Sequence, residues 1–182
     1  MNVNKPLNQL GFGNELSSIL SSSEWALEQI GIIVVDHGSR REESNQLLLV
    51  VADHLRVETG LERIEPAHME LAEPSIKTAY DRVVARGAKL VIVHPYFLSP
   101  GRHWHQDIPR LAAEAARPYP ETRFVVTAPL GIHGLMLQII QDRIQQCLRR
   151  AVFDSETCDV CRDTAGCQIL PAAPLSDGPS PE

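Results

Sequence analysis

Two rhythms of apolar positions alternate through the middle of the chain. Gly31–Asp36 (GIIVVD) is a short β-branched run, the pattern of a strand buried on both faces. Leu47, Leu48, Val51, Ala52 and Leu55 then recur at helical spacing, with Gly60 as a stop. Arg63–Met69 is a weaker strand. Ile76, Ala79, Tyr80, Val83 and Val84 form a second helical stripe between Pro74, suited to a first helical position, and Gly87, suited to a C-cap. Lys89–Phe97 (KLVIVHPYF) predicts a central strand. Asp107 predicts a cap for a helix that has Pro109 in its first turn and runs to about Arg117. Thr122–Ala128 predicts a fourth strand, and Leu135, Met136, Ile139, Ile140, Ile144 and Leu148 a last helix.

A strict βαβαβαβα order implies an α/β fold whose parallel sheet is covered by helices on both faces. Right-handed crossovers leave few topologies. The expectation is a four-stranded flavodoxin-like sheet in the order 2-1-3-4, over residues 31–150. Residues 1–30 are polar and serine-rich, with at most a short helix near Glu24–Ile30. Residues 151–182 hold three of the four cysteines and end in a Pro/Ala/Ser stretch with little apolar side chain to offset the entropy of ordering.

Charge sharpens this division. The chain has 182 residues and a net charge of −6, but residues 31–150 carry 15 Lys/Arg against 14 Asp/Glu. The acidity belongs to the flanks. No basic face is large enough to track a nucleic-acid backbone, and 5% aromatic content offers no base-stacking platform. No apolar run approaches the ~18 residues of a membrane span, and the first residues lack the apolar stretch of a secretory signal. The expectation is a cytoplasmic protein without nucleic-acid or membrane partners.

In open parallel sheets the ligand crevice lies beyond the carboxyl ends of the strands, where the strand order reverses. The residues that follow the four strands are Asp36–Arg40 (DHGSR), the segment around His68 and Glu70, Tyr96–His105 (YFLSPGRHWH) and Pro129–His133 (PLGIH). Five of the seven histidines fall there: His37, His68, His103, His105 and His133. His37 and His103 follow strands one and three, which flank the switch point. Two imidazoles and a carboxylate suit a borderline divalent metal such as Fe²⁺, Co²⁺, Ni²⁺ or Zn²⁺, and also proton transfer near neutral pH. His68 and His94 lie on strand alternations and read as core or near-core residues, and His54 as an exposed helical one. His37-Gly38-Ser39-Arg40 also reads as a weak phosphate loop, without the glycine spacing of a P-loop or a dinucleotide loop.

Four segments in order, DHGSR (36–40), AHMELAEPSI (67–76), PYFLSPGRHWHQDIP (95–109) and APLGIH (128–133), resemble the short-form sirohydrochlorin chelatases, the class II cobalt- or iron-inserting chelatases. The resemblance covers residues 31–148. It implies ATP-independent insertion of Fe²⁺ or Co²⁺ into sirohydrochlorin on the sirohaem or cobalamin route. It also implies His37, Glu70 and His103 as the catalytic set, with His37 and His103 as the metal ligands, and a homodimer whose two domains enclose the macrocycle. A carboxylate-fringed substrate calls for cations. Arg40, Arg41, Lys77, Arg102 and Arg110 are candidates, and Trp104 is a candidate for lying against the flat ring. The alternative is a small metal-binding protein, a metallochaperone or sensor, that uses the same side chains without ring chemistry.

Cys158, Cys161 and Cys167 form a compact thiol cluster, with Cys147 upstream. In a reducing compartment such spacing points to metal or redox chemistry rather than a structural disulfide. Four thiolates suit structural zinc or an iron–sulfur cluster. The layout resembles the C-terminal motif of plant-type sirohydrochlorin ferrochelatases, which implies a [2Fe–2S] cluster.

Overall fold

β1 (Ile30–Asp36) runs through the centre of a parallel four-stranded sheet. It pairs with β2 (Ile64–His68) on one side and β3 (Leu90–Pro95) on the other, and β3 pairs with β4 (Arg123–Val126). The order β2-β1-β3-β4 is the one expected from the sequence. The computed structural model describes residues 11–153 and 160, in two units divided between Gly131 and Ile132.

Alternate residues of β1 serve two cores. Ile33 and Val35 join Val91 and Val93 under α3 (Ile76–Ala85) and α4 (Ile108–Ala116), where Tyr80, Val83, Ile108 and Ala112 are buried. Ile30, Ile32 and Val34 face the other way, onto Leu48 and Ala52 of α2 (Glu42–Thr59). Burial on both faces is why β1 is almost wholly apolar. At Gly31 a Cβ would stand 2.9 Å from Val83 Cβ and 3.0 Å from Ala88 Cβ, so the missing side chain lets α3 lie close to the sheet.

Three local expectations change. Ser75, not Pro74, opens α3: its hydroxyl accepts the Thr78 N–H at 3.3 Å, and the Glu73 carboxylate accepts the Ser75 N–H at 2.7 Å and the Thr78 hydroxyl at 2.8 Å. These bonds hold the Glu73 carboxyl below the usual carboxylate range. A helix α1 spans Gly11–Leu20, whereas Glu24–Ile30 holds only a 3-10 turn at Leu27–Gln29. Leu16 and Leu20 keep helical spacing in α1, and Leu20 packs with Trp25 on the α2-side core. Asp107 makes no side-chain cap, and a π-helical turn at His103–Asp107 precedes α4.

Glu65 on β2 is a buried carboxylate that the sequence reading did not single out. It takes Arg82 at 3.3 Å, Arg56 at 3.5 Å and Arg86 in a closer pair. In the second unit, α5 (Gly134–Phe153) begins where the His133 Nδ1 accepts the Leu135 N–H at 3.2 Å.

Candidate functional site

Two further backbone hydrogen bonds clasp the segments just past β1 and β2. The Met69 N–H donates to the Asp36 carbonyl at 2.9 Å and the Glu70 N–H to the His37 carbonyl at 3.1 Å. This places the two following side chains together, and the His37 Nε2 lies 3.1 Å from the Glu70 Oε1. Gly38 makes the approach possible. Its φ is +84°, and a Cβ there would lie 1.9 Å from the Glu70 carbonyl oxygen. Only glycine fits such a position. The Asp36 Oδ1 accepts the Gly38 N–H at 2.9 Å and bonds the Nδ1 of the fully buried His68 at 2.6 Å.

The third element arrives from β3. The Tyr96 N–H donates to the Val35 carbonyl, and the chain then passes Phe97 and enters the π turn. π turns are rare and often mark functional positions. This one sets His103 over His37, with ring centroids 5.2 Å apart and planes at 72°. The His103 Nδ1 lies 2.9 Å from the Asp107 Oδ2. A carboxylate only accepts, so Nδ1 carries a proton, and in the neutral ring the lone pair is left on Nε2. Asp107 therefore selects the tautomer that can bind a metal or take a proton. Its signal in the sequence was the i, i+4 spacing from His103, obscured by its plausibility as a helix cap.

The His37, Glu70 and His103 side chains are 44%, 52% and 47% exposed, so the cluster is open. Among the described residues no group of three or more His, Cys, Asp or Glu side chains is arranged to hold a metal ion on its own. An open pair of imidazoles with a flanking carboxylate can take a divalent ion on one side and leave its other positions to a second ligand.

The other predicted residues divide. Arg40 and Arg41 are exposed on the loop after His37, and Arg102, beside His103, lies with its Nε 4.0 Å from Asp107. Lys77 is bound to Asp81 at 2.6 Å and Arg110 to Glu114 at 3.0 Å, each along its own helix. Trp104 donates its indole N–H to the Thr127 carbonyl at 2.8 Å and lies against His105. It ties the π turn to the end of β4. His94 bonds the Thr127 hydroxyl at 2.7 Å, and burial lowers its pKa below 6.5. His54 is exposed. The amides a phosphate would need are committed: Gly38 to Asp36, Ser39 to the Asn45 side chain and Arg41 to the Ser39 hydroxyl. Cys147 is a half-buried free thiol on α5. Cys158, Cys161 and Cys167 lie outside the described residues.

Known proteins resemble this chain in sequence and fold. The CbiX family model matches residues 31–147. A chloroplastic sirohydrochlorin ferrochelatase of Arabidopsis thaliana is 52% identical over 76% of this chain and 62% of its own length. A sirohydrochlorin cobaltochelatase of Priestia megaterium is 31% identical over 63% of this chain and 37% of its own. The chain thus spans less than two-thirds of either relative. The crystal structure of the sirohydrochlorin chelatase SirB from Bacillus subtilis subspecies spizizenii, in complex with cobalt, superposes with a TM-score of 0.61 at 29% identity, covering 64% of this chain and 50% of that one. With the family model matching residues 31–147, more than half its length, this chain belongs to the CbiX family.

Proposed function

We propose that the chain inserts a divalent metal, Fe²⁺ or Co²⁺, into sirohydrochlorin without ATP. The observation that carries this reading is the meeting of His37 and His103 at 5.2 Å with Glu70 at 3.1 Å from His37. Insertion exchanges two pyrrole N–H protons for one metal ion, so a site needs lone pairs for the metal and bases for the protons. The His103 Nε2 offers a lone pair, held there by Asp107. The His37 Nε2 faces Glu70 at 3.1 Å and its Nδ1 faces the Gly38 carbonyl at 3.3 Å, so this imidazole would take the metal as its Nε2 proton passes to Glu70. Few protein ligands mean that the metal is not trapped, since complete coordination by the protein would oppose its release into the ring. Placed general acid-base groups of this kind contribute about 10²–10⁴ in rate.

The substrate's carboxylates would meet Arg40, Arg41 and Arg102, the exposed cations on the two histidine loops. Lys77 and Arg110 have weaker support, because each is paired along its helix. Trp104 serves as an anchor of the π turn through its bond to the Thr127 carbonyl. A second copy would supply the other wall of this open cluster, making a homodimer, whose mass by light scattering checks it. We place the chain in the cytoplasm. Among the described residues no helix is long and apolar enough to cross a membrane, and a plastid location like that in the Arabidopsis relative's name would overturn the placement on fractionation. The cysteine spacing supports a [2Fe–2S] cluster at Cys158, Cys161 and Cys167 with Cys147, or zinc. Anaerobic purification with absorption and metal analysis decides between them, and a colourless, metal-free chain overturns both.

The central test mixes the full chain anaerobically with sirohydrochlorin and Fe²⁺ or Co²⁺. The reading expects a metal-dependent change in the tetrapyrrole spectrum faster than the uncatalysed rate, lost in His37→Ala and His103→Ala. Metal binding with no acceleration of ring metallation would leave a metal carrier and overturn the enzyme.

A further inference from the structure

His68 makes its side-chain hydrogen bond to Asp36 rather than to the cluster itself. It is the last residue of β2, fully buried, and it lines, with Met69, Glu70 and Ser75 among others, an open cleft of about 500 Å³. Burying a polar ring is unfavourable unless its polar atoms are bonded. Here one is bonded and one is not. Nδ1 lies 2.6 Å from the Asp36 Oδ1, while Nε2 is buried with no hydrogen-bond partner among the described residues. A leucine or phenylalanine would fill such a place without that cost, so packing alone does not account for an imidazole here.

The bond to Asp36 does account for it. The oxygen that His68 holds also accepts the Gly38 N–H, so this one atom joins the end of β2 to the turn that carries His37. The backbone clasps from Met69 to Asp36 and from Glu70 to His37 fix the same turn from its other side. His37 is thereby confined between two anchored neighbours.

We propose that His68 is a positioning residue: by orienting the Asp36 carboxylate toward the Gly38 amide, it sets where His37 presents its ring to Glu70 and the incoming metal. This rests on the metal-insertion reading of the same site. It does not depend on His68 changing its protonation.

The test compares His68→Asn, His68→Gln and His68→Phe in the full chain. Asparagine places an amide N–H where Nδ1 was, glutamine places it too far out, and phenylalanine keeps the volume without a donor. Three readouts apply: the melting temperature, Co²⁺ affinity by titration, and deuterium exchange of the 36–41 peptide. The expected result is a Co²⁺ Kd raised about tenfold or more in the Phe and Gln variants. Exchange at Gly38 should be faster in both, with melting within a few degrees of the parent, and Asn should restore affinity and exchange. Where Phe does not fold, the contrast between Asn and Gln carries the test. Parent-like Co²⁺ binding and exchange in Phe and Gln, or Asn no better than Gln, overturns the proposal. A parent chain that fails to metallate sirohydrochlorin refutes the functional reading instead, and the exchange and Co²⁺ data still decide the role of His68.

Discussion

His37 and His103 follow different strands, yet their rings meet edge to face at 5.2 Å, and each has a carboxylate of its own. Glu70 faces the Nε2 of His37, and Asp107 holds the Nδ1 of His103. The two imidazoles are thus differently equipped. One has a carboxylate at its Nε2 and the other at its Nδ1.

This asymmetry separates two carboxylate variants. Asp107→Ala frees the His103 ring and its tautomer, so metal affinity should fall by about 10–100-fold, the usual cost of losing the carboxylate that orients a metal-binding imidazole. Glu70→Gln leaves both imidazoles in place and should lower kcat more than it raises the KM for metal. Steady-state rates against metal concentration distinguish the two patterns.

At Gly38 a methyl group would collide with the Glu70 carbonyl, on a backbone already at φ +84°. Gly38→Ala should destabilise the fold by about 2 kcal/mol and abolish metal insertion, because the turn must move away from Glu70 to accommodate it. Urea unfolding and the metallation assay check both halves. Gly60→Ala, which also sits at positive φ but meets nothing within 4 Å, should cost stability alone.

Glu65 is the shared partner of Arg56, Arg82 and Arg86. Its loss leaves three guanidiniums facing one another around a buried gap. Glu65→Ala should cost about 3 kcal/mol, with a smaller loss for Glu65→Gln. Chemical denaturation is the measurement, and an unchanged midpoint in the alanine variant would show the cluster to be energetically idle.

Burial lowers the pKa of His94 below its ordinary value of 6.5. The unfolded chain therefore takes up this proton at a higher pH than the folded one. The contribution is complete above about pH 6.5 and is lost as pH falls from there through the lower folded value. Denaturant midpoints measured from about pH 7.5 down to pH 5.5 should decline, and His94→Gln should flatten that decline.

Much of this was legible from residue order. The apolar runs fixed four strands and their helices, and the alternation of strand and helix left 2-1-3-4 as the natural order, because right-handed crossovers exclude most others. The rule that ligands bind beyond strand ends then pointed to the strand-end segments and, at the switch point, to His37 and His103, and the resemblance to the chelatases implied Glu70 beside them. Local sequence periodicity carries this information because burial repeats every second or every third-to-fourth residue. What it could not carry was the partner of each group. Asp107 read as a cap and became the anchor of His103, since the π turn shifts its carboxylate onto the ring. His68 read as core filler and became bonded to Asp36, since the β1–β2 register sets those two residues side by side. Glu65 gathered arginines from two helices. Strand composition determines that a chain forms a sheet, but side-chain partners thirty or sixty residues away are chosen only when the register of that sheet and the pitch of each helix bring them within hydrogen-bonding distance.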